Sequence, residues 1–407
     1  MPGFFDALEA RDPAERERLL FERLADHVAF ARAKTPHYAR LLQAIDPGEV
    51  TSREALARLP VTRKADLTQL QAAHKPFGGL NATPASHLAR IFMSPGPIYD
   101  PEGRRPDFWR AARTLFAAGF RPGDLVLNCF SYHLTPAGSM FETGLHHLDC
   151  AVIPGGVGQT ELQARAIADL QPSGYVGTPS FLKLIIEKCD ELGLACGSIK
   201  RALVSGEAFL PPVREFMRGR GIDCFQAYGT ADVGMVAYES AAREGMVLNE
   251  DMILEIVRPG TGDPVAPGEV GEVLVTPFNA DYPLLRFATG DLSAVLPGPS
   301  PCGRTNVRIK GWMGRADQTT KVRGMFVHPH QVAEVLKRHG LARGRLVVEN
   351  EAGEDRMTLR VEGAAADTAP IAATLRDVMK VRGEVLAVAA GSLPNDGKVI
   401  ENARSYG

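Results

Sequence analysis

Four stretches of the sequence carry side chains that could take part in chemistry. They occur in the order QAYGTADVG (226–234), RFATGDLS (286–293), GWMGRADQTTKVRGMFVHPHQV (311–332) and LPNDGKVIENAR (393–404). The carboxylate of Asp291 can accept hydrogen bonds, the planar fork of Arg315 can reach pairs of oxygens, and Lys398 supplies a point charge. Each stretch alone is a weak indication, because T-G-D arises by chance and a Gly-Lys pair often lies in a surface turn. Their order and spacing therefore carry the interpretation.

The elements that must position these residues change in character along the chain. The segment 14–42 places apolar residues at helical spacing and is predicted to form an amphipathic helix. From Arg90 onward, short apolar runs such as DLVLNCF (124–130) alternate with helical patterns, which is typical of a mostly parallel sheet covered by helices. After about residue 245, Gly and Pro punctuate alternating apolar positions, which predicts an antiparallel twisted sheet or barrel.

The composition and the pattern of the sequence change again near Gly314. The chain is basic and glycine-rich up to Gly324, and a predicted hairpin (345–362) and a predicted helix (369–383) follow. We therefore expect an α/β multi-domain protein with a large N-terminal domain over 1–314 and a small α+β domain over 315–407.

The composition narrows the class of protein. The chain has 407 residues, with 46 basic and 48 acidic side chains and no dense basic run, so a nucleic-acid partner is not expected. Its 6 cysteines form no C-x-x-C pair, so neither a zinc ribbon nor a disulfide framework is indicated, and free thiols are expected. The start lacks the pattern of a signal peptide, and nowhere do about 18 apolar residues run together. We therefore expect a cytoplasmic protein without a membrane partner.

Together the four stretches resemble the motifs YG-x-T-E, TGD, GR-x-D…K-x-RG and a late GK of the adenylate-forming superfamily of acyl- and aryl-CoA ligases. Flanking segments such as LPVTRKADL (59–67), VGTPSFLKLI (176–185) and PCGRTNVRIKGWMGRADQ (301–318) are similar to its phenylacetate-CoA ligase branch. The resemblance covers nearly the whole chain. It implies the adenylate-forming fold, with an AMP-binding α/β domain, a β-rich part from about residue 245, and a small mobile C-terminal domain with its hinge near Asp317.

The resemblance implies a two-step ligase that uses ATP, magnesium and coenzyme A on an aryl or arylacetic acid. The carboxylate attacks the α-phosphate of ATP to give an acyl-adenylate and pyrophosphate, and the thiol of coenzyme A then displaces AMP. By resemblance Lys398 bridges carboxylate and phosphate oxygens, Asp291 accepts from the ribose hydroxyls, Tyr228 stacks on adenine, and Arg315 reaches ribose or phosphate.

The resemblance implies further site positions. For the nucleotide they are Ser94, Gly96, Glu207, Ala227, Gly229 and Thr230; for magnesium, Asp232; for the coenzyme A path, Lys321, Arg323 and Gly324; for the carboxylate pocket, Tyr132, His133, Thr178, Pro179, Ser205 and Gly206. The alternative for Tyr228 is a core tyrosine, and the alternative for the basic loop is a solvated surface loop. Without the family, the D-G-K sequence of Lys398 is more typical of a turn with an exposed lysine.

Two departures from the family pattern fall on the triphosphate side. The phosphate loop, in the family of the form SSGTTG, reads SPGPIY (94–99), in which Pro95 and Pro97 lack N–H donors. In YGTAD the hydroxyl residue is replaced by Ala231, and the magnesium-binding Glu by Asp232.

These departures leave a second function open, a sensor or pseudoenzyme that binds AMP, an adenylate or an acyl-CoA without efficient ATP turnover. The intact Lys398 favours the ligase. Of the cysteine and histidine positions that hold zinc in some relatives only Cys302 is present, so zinc is not expected. The oligomeric state does not follow from the sequence, and a homodimer stays open.

Overall fold

The computed structural model describes residues 3–313, 315–316, 318, 320–323, 325–327, 329–351, 354–363, 367–394 and 399–404. The chain divides into two compact units, Met1–Met313 and Gly314–Gly407. Among the described residues, none of the helices has the length and apolar composition that crossing a membrane requires.

The first unit begins with two helices where one was predicted. Helix α1 (Pro13–Lys34) starts at Asp12, whose carboxylate accepts hydrogen bonds from the first-turn amides, and α2 (Pro36–Leu41) starts at Thr35, whose hydroxyl caps Tyr38 N. The single helix was wrong because Pro36 cannot donate a helical hydrogen bond. The other α-helices described in this unit are α3 (Arg53–Ala57), α4 (Leu67–Ala73), α5 (Ala111–Ala117), α6 (Ala137–His147), α7 (Thr160–Leu170), α8 (Pro179–Leu192) and α9 (Pro211–Gly219).

The strands of the first unit form a large sheet, a smaller sheet and a separate hairpin. They are β1 (Thr62–Arg63), β2 (Arg90–Ser94), β3 (Ile98–Glu102), β4 (Leu125–Asn128), β5 (Ala151–Pro154), β6 (Gly174–Gly177), β7 (Arg201–Val204), β8 (Asp223–Thr230), β9 (Gly234–Glu239), β10 (Met246–Leu248), β11 (Met252–Val257), β12 (Gly271–Pro277), β13 (Phe287–Ser293), β14 (Val295–Leu296) and β15 (Arg308–Ile309). The large sheet has the order β14-β15-β10-β9-β8-β7-β6-β4-β5. From β5 to β8 its strands pair in parallel, which confirms the predicted sheet.

The β-rich part after about residue 245 divides between two sheets. Strands β11, β12 and β13 are antiparallel, as predicted, and β1 adds to β13 in parallel. Strands β10, β14 and β15 instead extend the large sheet, because β10 pairs with β9, which returns antiparallel to β8.

The proline-rich stretch after Ser94 is a hairpin rather than a loop. Strand β3 pairs antiparallel with β2, with Ser94 opposite Ile98 and Ile91 opposite Pro101. The turn is therefore only three residues long. Prolines are tolerated here because the two strands pair only with each other, so a missing donor interrupts no continuous ladder.

The second unit is a small α+β structure. Its described elements are β16 (Thr320–Val322), β17 (Met325–Val327), α10 (Pro329–Arg338), β18 (Gly344–Glu351), β19 (Glu354–Glu362), α11 (Ala369–Met379), β20 (Glu384–Val388) and β21 (Ile400–Asn402). The predicted hairpin and helix are confirmed as β18–β19 and α11. Strands β20 and β21 flank the hairpin in parallel, and a core that includes Leu346, Leu359 and Leu375 lies under the sheet.

One expectation about the cysteines was wrong. Helix α8 ends at Gly193, which has a φ of +65°, and the chain then turns back so that Cys196 lies beside Cys189 with their Cα atoms 6.2 Å apart. The two form a disulfide, whereas Cys129, Cys150, Cys224 and Cys302 are free. The sequence spacing of Cys189 and Cys196 does not predict a disulfide, because only the turn at the end of α8 brings the two side chains together.

Candidate active site

The predicted carboxylate-pocket residues lie at one edge of the large sheet. They follow adjacent parallel strands: Tyr132 and His133 follow β4, Thr178 and Pro179 follow β6, and Ser205 and Gly206 follow β7. The nucleotide-motif residues from Ala227 to Thr230 lie at the end of β8, the next strand. Ligands of open α/β sheets bind outside the carboxyl ends of the strands, so this edge is the candidate site.

Hydrogen bonds join these loops to one another. The Ser205 hydroxyl donates to the carbonyl oxygen of Ala227 at 2.8 Å, which links the loop after β7 to β8. Glu207 accepts a hydrogen bond at 2.7 Å from the amide of Ser180 in α8, whose first turn is capped by the Thr178 hydroxyl. The loops are therefore held at fixed positions by their own polar groups.

The loop after β4 contributes aromatic side chains. The rings of Phe130 and Phe141 stack with their centroids 4.7 Å apart. The hydroxyl of Tyr132 accepts a hydrogen bond from Asn128 Nδ2 at 2.8 Å, and burial, reinforced by Glu142, raises the pKa of Tyr132. Tyr132 is therefore a neutral phenol at physiological pH, and His133 is exposed beside it.

Asp291 of the T-G-D sequence is held by two aromatic side chains. The Tyr228 hydroxyl lies 2.9 Å from Asp291 Oδ2, and Trp312 Nε1 donates to Asp291 Oδ1 at 3.0 Å. Gly290 has a φ of +75°, a conformation that favours glycine and forms the turn on which Asp291 lies. Tyr228 is 7% exposed and belongs to the core, so the observed contact is with Asp291, and its stacking on adenine stays a prediction.

The hairpin turn lies where the resemblance implies a phosphate loop. The Ser94 hydroxyl lies 3.4 Å from the carbonyl oxygen of Ile98 in the same hairpin, and Ser94 is only 5% exposed. A Cβ added to Gly96 would lie 2.8 Å from Ile98 Cγ1, so the turn is tightly closed. Ser94 is thus engaged with the hairpin itself, and Pro95 and Pro97 offer no amide hydrogens.

A cluster of charged side chains lies next to this hairpin. Lys64 Nζ donates to Asp232 Oδ2 at 2.6 Å, and the Asp232 side chain has no solvent exposure. Asp100 of β3 is also fully buried, and neither of its carboxylate oxygens has a hydrogen-bond partner among the described residues. Burial and the negative charge of Asp232 raise the pKa of Asp100, and the positive charge of Lys64 lowers it.

The Asp232 carboxylate does not fit the magnesium role that the resemblance implies. Its Oδ2 is paired with an ammonium, and the side chain is closed to solvent. Among the described residues, no group of three or more His, Cys, Asp and Glu side chains is arranged to hold a metal ion. We therefore route no step through a metal on Asp232.

The second unit contains the remaining predicted residues. Arg323 donates from its backbone amide to Asp355 Oδ2 at 3.1 Å and from Nε to the Asp355 carbonyl at 3.0 Å. Lys321 lies in β16, and Arg315 precedes that strand. Three predicted residues, Asp317, Gly324 and Lys398, lie outside the described residues.

Comparison with known proteins agrees with this geometry. The family model of AMP-binding enzymes matches residues 110–277. The phenylacetate-coenzyme A ligase of Thermus thermophilus is 33% identical over 370 residues, which cover 86% of this chain and 82% of that protein. The enzyme of the same name from Escherichia coli is 30% identical, with 97% and 95% covered.

The solved structures extend the comparison to the fold. The structure of 2-hydroxyisobutyryl-CoA ligase with 2-HIB-AMP and CoA superposes with a TM-score of 0.78 at 26% identity and covers 100% of this chain and 93% of that one. Fold and site together define an adenylate-forming enzyme. The chain belongs to the phenylacetate-coenzyme A ligase family, and it is an AMP-forming ligase whose substrates include ATP and coenzyme A.

Sequence reasoning missed two residues of the charged cluster, Lys64 and Asp100. Lys64 lies in LPVTRKADL, a segment that supported the family resemblance without suggesting a role for its lysine. Asp100 lies in the proline-rich stretch, where no motif marks it. A lysine placed directly after a short strand was the one available signal for the first residue, and only burial reveals the second.

Proposed function

We propose that this ligase activates an aryl or arylacetic acid. The observation that carries the proposal is the ring of Phe130, 6% exposed, which lies against the predicted pocket residues Thr178 and Gly206. A Cβ added to Gly206 would lie 3.8 Å from Phe130 Cε1 and 3.7 Å from Thr178 Cγ2, so the ring and the methyl group face the backbone at the end of β7. The flat faces of aromatic rings pack well against an aromatic substrate. The name shared by the most similar relatives supports the same substrate class.

The first step joins the acid to AMP. A carboxylate oxygen of the acid bonds to the α-phosphorus of ATP, and the bond to the bridging oxygen breaks as pyrophosphate leaves with the electron pair. Asp291, held by Tyr228, accepts hydrogen bonds from the ribose. Lys398 supplies positive charge where the oxygens of acid and α-phosphate meet, and Arg315 contributes a second cation.

The second step forms the thioester. The thiol sulfur of coenzyme A bonds to the acyl carbon, AMP leaves as its phosphate anion, and the thiol proton passes to solvent. The second unit turns about Asp317 between the two steps, and Lys321, Arg323 and Gly324 then line the path of the thiol. Magnesium enters the proposal only as the counter-ion of the ATP phosphates, which usually supply several of its ligands.

A panel of acids tests the proposal. The protein is incubated with magnesium, ATP and phenylacetate, benzoate or 2-hydroxyisobutyrate, with and without coenzyme A, and AMP, pyrophosphate and thioester are quantified. We expect AMP and thioester with the aromatic acids and much less with the aliphatic one. Asp291→Ala should abolish both products. The matched control is Asp223→Ala, at the amino end of β8, where the side chain is exposed and pairs with Arg243.

Two results would contradict the proposal. A preference for 2-hydroxyisobutyrate would overturn the aryl substrate while leaving the ligase class intact. Binding of AMP without AMP formation from any acid would favour the sensor or pseudoenzyme instead.

A further inference from the structure

The charged cluster beside the hairpin has an arrangement that a structural ion pair does not require. Asp100 and Asp232 are both fully buried, while the Lys64 side chain keeps 23% of its exposure. Of these three side chains, Lys64 is therefore the one that solvent reaches. We propose that Lys64 is the cation that binds the β- and γ-phosphate oxygens of ATP, and that Asp232 positions it.

The location of Lys64 follows from strand register. Strand β1 pairs in parallel with β13, with Thr62 opposite Phe287 and Arg63 opposite Ala288. Lys64 follows β1 directly and begins a 3-10 helix (Lys64–Asp66) that contacts β13, the strand that carries the T-G-D sequence. Its partner Asp232 lies four residues after Tyr228, the residue that contacts Asp291. Lys64 is therefore close to β13 through its own 3-10 helix and close to the loop after β8 through its ion pair with Asp232.

The charges of the cluster favour an added cation or proton. Two buried carboxylates face one ammonium, and the Tyr282 hydroxyl beside them has no hydrogen-bond partner among the described residues. Burial, and then the charge of Asp232, raise the pKa of Asp100 well above its ordinary value. The raised pKa of Asp100 favours its protonated form, and Asp232 is the carboxylate that pairs with the Lys64 ammonium.

The hairpin explains why a lysine would be needed at this position. Phosphate loops hold phosphates with backbone amides and hydroxyls, and this turn has lost two amide hydrogens to Pro95 and Pro97 while the Ser94 hydroxyl faces Ile98. A point charge can take over part of that role, because lysine binds phosphate without requiring a shaped loop. A buried carboxylate partner limits the rotamers of the long side chain and so reduces the entropy lost on binding.

Calorimetric titration of pyrophosphate and AMP into the full-length protein tests the inference. Lys64→Met should raise the dissociation constant of pyrophosphate by about tenfold or more, while that of AMP stays within about twofold. Lys64→Arg, which keeps the charge, should recover part of the loss. The matched control is Arg63→Met, an adjacent cation that pairs with Glu272 and should leave both constants unchanged.

Asp232→Asn tests the positioning role. The substitution preserves the shape of the side chain but removes its negative charge, so pyrophosphate should bind more weakly than to the wild-type protein. In the Asp232→Asn background, Lys64→Met should then cause a smaller further loss of pyrophosphate affinity than it does in the wild type. Additive losses in the Asp232→Asn/Lys64→Met double variant would overturn the positioning role, because residues that act as one unit are not additive.

Two outcomes would overturn the role of Lys64 itself. One is unchanged pyrophosphate affinity in Lys64→Met; the other is an equal loss for AMP and pyrophosphate in both Lys64→Met and Lys64→Arg, which would make the lysine a support of the whole fold. The inference rests on the proposed function for the identity of ATP as substrate. Its test uses no acid and no turnover, so it can fail while the acid panel succeeds, or succeed while the panel fails.

Discussion

At the scale of single residues, the site depends on buried polar groups that hold one another. Asp291 has one oxygen near the Tyr228 hydroxyl and the other bonded to Trp312, and it is 7% exposed. Such a carboxylate is oriented before a ligand arrives, which lowers the entropy lost on binding the ribose that Asp291 is predicted to hold. Asp100 shows the opposite situation, a buried carboxylate whose oxygens lack hydrogen-bond partners among the described residues.

Tyr228→Phe removes one hydroxyl next to Asp291. A hydrogen bond to a charged group contributes about 1.5–3 kcal/mol, so AMP should bind about tenfold more weakly or worse. Calorimetry with AMP measures the change, and pyrophosphate in the same variant is the control, because its expected contacts lie on the other side of the α-phosphate. A weaker pyrophosphate complex together with normal AMP binding would reverse the assignment of the two sides.

Asp100→Asn tests how much the buried carboxylate lowers the free energy of unfolding. The pKa of Asp100 is raised above its ordinary 3.8, so between that pH and the raised value the native state holds a proton that the unfolded chain has released. Stability of the wild-type protein therefore falls as pH rises through this window, and the amide removes that slope. The variant should gain stability relative to wild type between pH 5 and pH 8.

Tryptophan fluorescence during urea unfolding measures the effect, because Trp109 and Trp312 both lie in the first unit. The control is Asp26→Asn at an exposed position on α1. An equal stability difference between variant and wild type at the two pH values would show that Asp100 does not titrate in this range.

At the scale of elements, the hairpin β2–β3 replaces the most recognisable part of the nucleotide site. Its strands are fully paired from Arg90–Glu102 to Ser94–Ile98, and Ile98 is buried in the core at 4% exposure. The hairpin is therefore anchored in the core, while its turn and the side chains of Ile91 and Tyr99 are exposed. We therefore predict that the phosphates of ATP meet a closed turn instead of an open cradle.

The double change Pro95→Ser and Pro97→Thr restores two amide hydrogens and two hydroxyls while keeping Ile98 in place. MgATP should bind more tightly by about threefold or more, because each restored donor can bond a charged oxygen. AMP should stay within about twofold. Titration of both nucleotides into both proteins measures this, and a wild-type chain that already binds MgATP far more tightly than AMP would contradict the account of the turn.

At the scale of the whole molecule, the two compact units divide the predicted chemistry between them. Asp291, Tyr228 and the pocket loops belong to the first unit, whereas Arg315, Arg323 and Lys398 belong to the second. The predicted roles assign residues of both units to each half-reaction. The proposal that the second unit turns between the steps therefore predicts that variants in it separate the two half-reactions.

Lys398→Ala should slow adenylation by about 100-fold or more, the scale for losing one preorganised charge-stabilising group. Thioester formation from a supplied acyl-adenylate should change little. Gly324→Leu, which obstructs the path of the thiol, should have the reverse effect. Single-turnover measurements of each half-reaction decide between these, and equal losses in both half-reactions for either variant would contradict the division.

The sequence by itself determined the family, the parallel sheet and the positions of the nucleotide motifs. These properties are encoded in contiguous segments: TGD is a turn with its carboxylate next to its glycine, and the alternation of strands and helices is periodic along the chain. The α1–α2 break also has a local cause, since Pro36 stands in the printed sequence, and it could have been predicted.

Only the tertiary structure decided the partners of the buried charges. Lys64 and Asp232 are 168 residues apart, and Asp100 lies on a third element between them in sequence. No local pattern specifies such a contact, because it arises when β1 aligns with β13 and the hairpin packs beside the loop after β8. The same holds for burial itself: the letter D at position 100 does not show that its oxygens will be closed off from water, and that closure is what raises its pKa.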